Sequence, residues 1–240
     1  MSGRCFGDTR DLFKFDLVRH MMKSLPELEG FTFVPMLTGT EAEGHRKSST
    51  GKDLKKAYRS GKAGSQNQGL REHMERLQEI DSDLAYIEGV STYFDREMIL
   101  IDIAGRQRFT NDARGTYFRS IFGKLPKKSL IFLDPETGLA EGDTDCRHLL
   151  FTEIQTVSDR MDAGSVLMLY QHLSRGKHRD ALPVIVDRLG ECTGIKPLVI
   201  TDNELVFFLF AKDQKLADRL QSSLECYADT YPALQCMDCA

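Results

Sequence analysis

The sequence predicts an α/β protein, a mostly parallel sheet with helices on both faces and an antiparallel hairpin near the C-terminus. Two observations carry this. Short apolar runs closed by turn residues alternate with longer stretches of helical period, and strands alternating with helices join through right-handed crossovers into a parallel sheet. Lys196 to Ala211 then reads as two strands about a tight Asp202-Asn203 turn, which makes one edge antiparallel. At 240 residues a single domain is expected. Within it we expect a basic, flexible insertion at about 40–70 and a frayed tail at about 232–240.

In order along the chain, Asp8-Thr9-Arg10-Asp11 supplies a capping residue and an acid three positions on. Phe13, Leu17 and Met21, with Val18, Met22 and Leu25, follow at helical spacing and predict a helix over about 9–25, closed by Pro26 and Gly30. Phe31 to Thr38 reads as a strand. Pro35 inside it points to an edge or a bulge, because a central strand needs the missing N–H. Residues 60–69 offer almost nothing to bury and predict a mobile loop.

Leu70 to Leu84 resumes helical period, and Glu97 to Ile103 reads as a strand ending at Asp102. An acid there either binds a ribose hydroxyl, as in nucleotide folds, or caps the next turn. Further helices are expected at about 112–124, 145–162, 180–189 and 213–227, and a buried strand at Ser165 to Tyr170.

Ser129 to Gly138 is the most informative stretch. Its apolar run ends abruptly in Asp134-Pro135-Glu136-Thr137-Gly138, the pattern of a strand buried on both faces. Ligands of open parallel sheets bind just past such strands. Asp134 is therefore expected at the mouth of a crevice, although the same five residues also suit a plain turn.

Composition narrows the classes. No apolar run approaches the roughly 20 residues of a membrane helix, and the first residues lack the apolar core of a secretory signal. Six scattered cysteines are too few for a disulfide scaffold and suit a reducing cytoplasm. The terminal Cys236-Met237-Asp238-Cys239 has no second pair with which to bind zinc, so no metal is expected there. The net charge is −4, yet residues 44–62 carry seven Lys/Arg against one acid, and 106–128 repeat that ratio. Two basic segments on an acidic body suggest a nucleic acid or other polyanion, with Arg46, Lys47, Lys52, Lys55, Arg106, Arg108 and Arg175 as candidate contacts; solvated faces are the alternative. A phosphate loop at Gly44 to Asp53 is excluded, since both the four-residue spacer and the hydroxyl after Gly51-Lys52 are missing.

The element order with its late hairpin resembles class I S-adenosylmethionine-dependent methyltransferases. Leu130 to Pro135 looks like the start of the "D-P-P-Y" motif of amino-methyltransferases, and Leu167 to His172 resembles the next strand with its polar exit. Gly7 to Lys14 is similar to the N-terminal helix of ribosomal-RNA adenine-N6 methyltransferases. The resemblance implies S-adenosylmethionine as cofactor near Thr38, Gly39, Gly44 and Asp102, and a catalytic set of Asp134, Pro135 and His172. It departs from the family where Glu136 and Thr137 replace the second proline and the aromatic, and where the "G-x-G" loop is absent.

Asp134 would accept a hydrogen bond from the attacking amine and stabilise its developing charge. His172 would orient or deprotonate the substrate near neutral pH; the alternative is a surface histidine near Arg175, Lys177 and His178 that binds phosphate or nothing. Two other classes stay open: a Mg²⁺-dependent nuclease using Asp134 with Glu153 and Gln155, and a binding protein that keeps the fold without catalysis.

Overall fold

The computed structural model describes residues 6–38, 54–80, 82–123, 125–140, 145–173 and 178–237. Helix α1 (Thr9–Ser24) leads into strand β1 (Gly30–Pro35). Helices α2 (Leu54–Arg59), α3 (Gln68–Leu77) and α4 (Asp83–Arg96) precede β2 (Ile101–Ile103), and α5 (Arg114–Phe122) leads to β3 (Ser129–Asp134). The short strands β4 (Gly138–Ala140) and β5 (His148–Leu150) pair in parallel with each other, outside the main sheet. Then come α6 (Phe151–Arg160), β6 (Val166–His172), α7 (His178–Thr193), β7 (Leu198–Thr201), β8 (Leu205–Ala211), α8 (Gln214–Thr230) and β9 (Gln235–Met237).

The main sheet runs β2-β1-β3-β6-β8-β7-β9. The first four strands are parallel, and β8, β7 and β9 each pair antiparallel with their neighbours. This is the expected α/β architecture. The chain leaves β1 toward β2 and then crosses back to β3, so the order reverses between β1 and β3. In such sheets the crevice for a ligand opens at that reversal, past the carboxyl ends of the strands.

Side-chain alternation sorts β3 into two cores. Leu130 and Phe132 join the face covered by α1, α3, α4 and α8, while Ile131 and Leu133 join the face covered by α5, α6 and α7. Asp134, next in the first set, therefore points toward α1, as do Tyr170 and His172 on β6 by the same period.

Helix α1 starts where expected. Asp8 caps it by accepting from the backbone N–H of Arg10 and Asp11. It is buried nearly all round, charges included: Asp11, Lys14 and Asp16 lie among its phenylalanines and leucines. The Asp16 carboxylate accepts from Asn67 Nδ2 at 2.8 Å and from the Tyr227 and Tyr231 hydroxyls, each at 2.9 Å.

Pro35 sits in a central strand, and the ladder explains why. Phe31 donates to Leu100 O and Phe33 accepts from Ala104 N, so odd-numbered residues of β1 face β2. By Pro35 strand β2 has ended, no ladder bond is lost, and its carbonyl accepts from Tyr117 Oη at 2.6 Å.

Four expectations are corrected. Residues 60–69 are packed rather than loose: Ala63 and Ser65 are buried, and Asn67 caps α3 through Leu70 N. The 70–84 stretch breaks between α3 and α4, where Ser82 caps the second helix, and α4 then runs to Arg96, so the following strand is only three residues long. The 145–162 stretch begins as a strand, because Glu153 accepts from Leu150 N and starts α6 at Phe151. In the tail, β9 pairs with β7. Among the described residues, no helix is long and apolar enough to cross a membrane.

Candidate functional site

Asp134 ends β3 in register with Pro35, on the two strands that flank the reversal. Its side chain is fully buried rather than open at a crevice mouth. Lys14 Nζ, from the second turn of α1, lies 2.8 Å from Asp134 Oδ1 and 3.5 Å from Asp11 Oδ1. The same ammonium stands 4.2 Å from the centre of the Tyr170 ring. Asp11 Oδ2 accepts from Gly7 N at 2.9 Å. Lys14 is the cation on Asp134 Oδ1, and Oδ2 meets no donor among the described residues.

The electrostatics follow from three buried acids against one buried lysine. Burial pushes the Asp134 carboxyl up, and Lys14 opposes this. Burial pushes Lys14 down, but Asp134 and Asp11 outweigh it and hold the ammonium above its ordinary range. Asp8 is raised to about 7, by burial first and by neighbouring Asp11 second. Lys14 therefore stays charged, and any proton the cluster takes up goes to a carboxyl.

The strand exits are tied together. Thr38, past β1, donates through Oγ1 to Glu136 Oε2, past β3, at 2.6 Å. Arg108 Nε donates to Thr38 O at 3.4 Å. Asp83, at the start of α4, is raised by burial, with Arg108 opposing and Glu136 adding to the shift. Gly105, in the loop after β2, has φ +75°, and a Cβ there would lie 2.3 Å from Tyr117 Oη.

Of the expected site residues, the structure brings Asp134, Pro135 and Thr38 to the reversal point. Pro135 follows Asp134 directly and is buried. His172 ends β6 on the α1 side, with Nε2 3.8 Å from Glu204 Oε1. Burial and Arg10 lower its affinity for a proton, while Glu204 opposes them. Asp102 is exposed on the edge strand β2, one residue before its end. Lys55 on α2 and Arg106 and Arg108 after β2 are exposed. Gly39, Gly44, Arg46, Lys47, Lys52 and Arg175 lie outside the described residues.

Glu153 is held by partners of its own. Both Glu153 oxygens accept from Arg114 Nη1 at 2.8 Å, and one also accepts from Leu150 N. Among the described residues, no group of three or more His, Cys, Asp or Glu is arranged to hold a metal ion.

Sequence reading missed Lys14, Asp11, Glu136 and Tyr170 as members of this site. A signal existed for Lys14: it interrupts the apolar run Leu12-Phe13-Phe15, where a lysine must find an acid or leave the core. Compared with known proteins, the chain matches no family model and no curated relative.

Proposed function

We propose that the chain is a methyltransferase-like protein that uses S-adenosylmethionine to methylate an amino group of a nucleic acid. One observation supports this above the others: a buried carboxylate at the end of the central strand, beside the reversal point, whose Oδ1 faces the Lys14 ammonium and whose Oδ2 meets no donor among the described residues. A buried acid with one oxygen left without a donor has acceptor capacity for an N–H that a ligand brings. The resemblance of residues 130–135 to an amino-methyltransferase motif points the same way.

The residues present suit such a cofactor at the strand exits. Asp102, exposed near the end of β2, can accept from a ribose diol. Glu136, beside Thr38, offers a carboxylate to a cationic group. S-adenosylmethionine, when bound, supplies a methyl group on a sulfonium, and the leaving group is a neutral thioether. The chain's own work is alignment and charge. Asp134 accepts an N–H of the attacking amine, and its negative charge offsets the positive charge that grows on nitrogen as the N–C bond forms. His172, kept neutral by burial and Arg10, can take the proton that the nitrogen then gives up. A target base must be unpaired or flipped out for its amine to reach so buried an acid. The exposed basic residues Lys55, Arg106 and Arg108 would contact phosphates.

Calorimetry with S-adenosylmethionine tests the reading. The wild-type chain is expected to bind, and Asp102→Ala to weaken binding about tenfold through the lost hydrogen bonds to a charged group. Absence of binding to the wild-type chain would sink the proposal.

A further inference from the structure

Lys14 occupies the place that an amino substrate would need. Its ammonium sits 2.8 Å from Asp134, the acid to which an incoming amine would donate. An amine that gains positive charge there cannot share Asp134 with a second cation, because like charges a few ångströms apart in a buried site repel strongly. Lys14 has somewhere else to go. Asp11 Oδ1 is only 3.5 Å away, and the contact of Asp11 with Gly7 N uses its other oxygen. Asp134 is fixed by its strand, whereas lysine has four rotatable bonds and three donors.

We infer that Lys14 is a positioning residue with two seats: it neutralises Asp134 in the free protein, and moves to Asp11 when an amino group takes its place. This rests on the methyl-transfer reading and names the nucleophile it selects, an amine rather than a group that stays neutral. The other polar groups facing the cluster are Asp8 and Arg10 on α1, Tyr86 on α4, Tyr117 on α5 and Tyr170 on β6. Among these neighbours Lys14 and Arg10 carry the positive charge, and Lys14 is the one in direct contact with Asp134.

Nitrogen NMR of the Lys14 ammonium tests the movement without requiring turnover. The full chain, with S-adenosylhomocysteine, is titrated with single-stranded oligo(dA). A second titration uses an oligonucleotide of equal length built on purine, which lacks the 6-amino group. The Lys14 signal is expected to shift with oligo(dA), to stay in place with the purine strand, and to stay in place with both in Asp11→Asn. The same response to both strands would overturn the inference.

The resting seat is tested separately, with no ligand present, by a carbon NMR titration of the Asp134 carboxyl. Lys14→Met is expected to raise its proton affinity at least tenfold, and Lys14→Arg to leave it nearly unchanged; an unmoved midpoint in Lys14→Met would overturn the inference. Should Lys14→Met not fold, Asp11→Asn serves: it concentrates Lys14 on Asp134 and lowers the Asp134 midpoint, and a raised midpoint counts against the inference. If neither strand binds, the methyl-transfer reading and the second seat fall together, while the titration still reports on the first.

Discussion

Lys14 Nζ and Asp134 Oδ1 meet at 2.8 Å, joining the first helix of the chain to the end of its central strand. The pair draws on opposite halves of the sequence, and both side chains are almost wholly out of water. Charges in such a place depend on each other for stability, which sets the first prediction.

Asp134→Leu leaves the Lys14 ammonium short of its closest counter-charge, and is expected to destabilise the fold by about 3–5 kcal/mol. The double variant Lys14→Met with Asp134→Leu removes both charges and should recover most of that loss. Urea denaturation of the two single variants and the double variant measures the coupling; additive losses would show that the pair does not interact.

Asp8 gives a dependence on pH. Its folded-state value, about 7, lies above its ordinary value of 3.8, so the folded state binds this proton more tightly than the unfolded state. The stabilising effect is complete below the ordinary value and is lost as pH rises through the folded value. Asp8→Asn keeps a capping side chain but cannot titrate. Urea midpoints measured from acid to neutral pH should therefore fall more steeply in the wild type than in Asp8→Asn, and parallel curves would refute the assignment.

Arg114, on α5, holds the start of α6 through Glu153 and the chain entering β5 through His148 O and Asp145 O. Arg114→Ala leaves Glu153 buried without that cation, and is expected to cost about 2–4 kcal/mol. Hydrogen exchange should show the loss as faster exchange over 145–155, with the amides of β3 little changed.

Lys55 and Arg106 are exposed and basic. If they contact phosphates, each change to Ala should reduce the salt dependence of binding to single-stranded nucleic acid by about 0.7–0.9 in log–log slope. Slopes equal to that of the wild type would remove both residues from the interface.

The central strand and its acid were legible because a short, continuous apolar run closed by Asp134-Pro135 and Gly138 is the length of a strand buried on both faces. The break before α6 was not legible. Leu149 and Leu150 continue the helical spacing of Ile154 and Val157, and only the Glu153 cap on Leu150 N reveals where the helix begins. Pro35 misled for a geometric reason: which side of a strand lacks a partner depends on the length of its neighbour, and that length is set elsewhere in the chain. Asp134 was found, but its partner was not. Lys14 and Asp134 become neighbours only through the crossing of α1 over the sheet, and no short-range pattern encodes that meeting. The loop at 60–69 looked unburiable because its small residues were read as slack, when they permit close approach: a Cβ on Gly64 would lie 2.4 Å from Leu12 O.

The three bonds to Asp16 have a mechanical outcome. Asn67, Tyr227 and Tyr231 grip one carboxylate on α1, two positions beyond Lys14. Turning the helix by a single residue would swing that carboxylate about 100° and break all three. The azimuth of α1 is thereby locked from two sides, like a shaft held by a key. Any reseating of the lysine has to come from torsions of its own stem, so the event needs no slow backbone rearrangement and can keep pace with a molecule as it arrives.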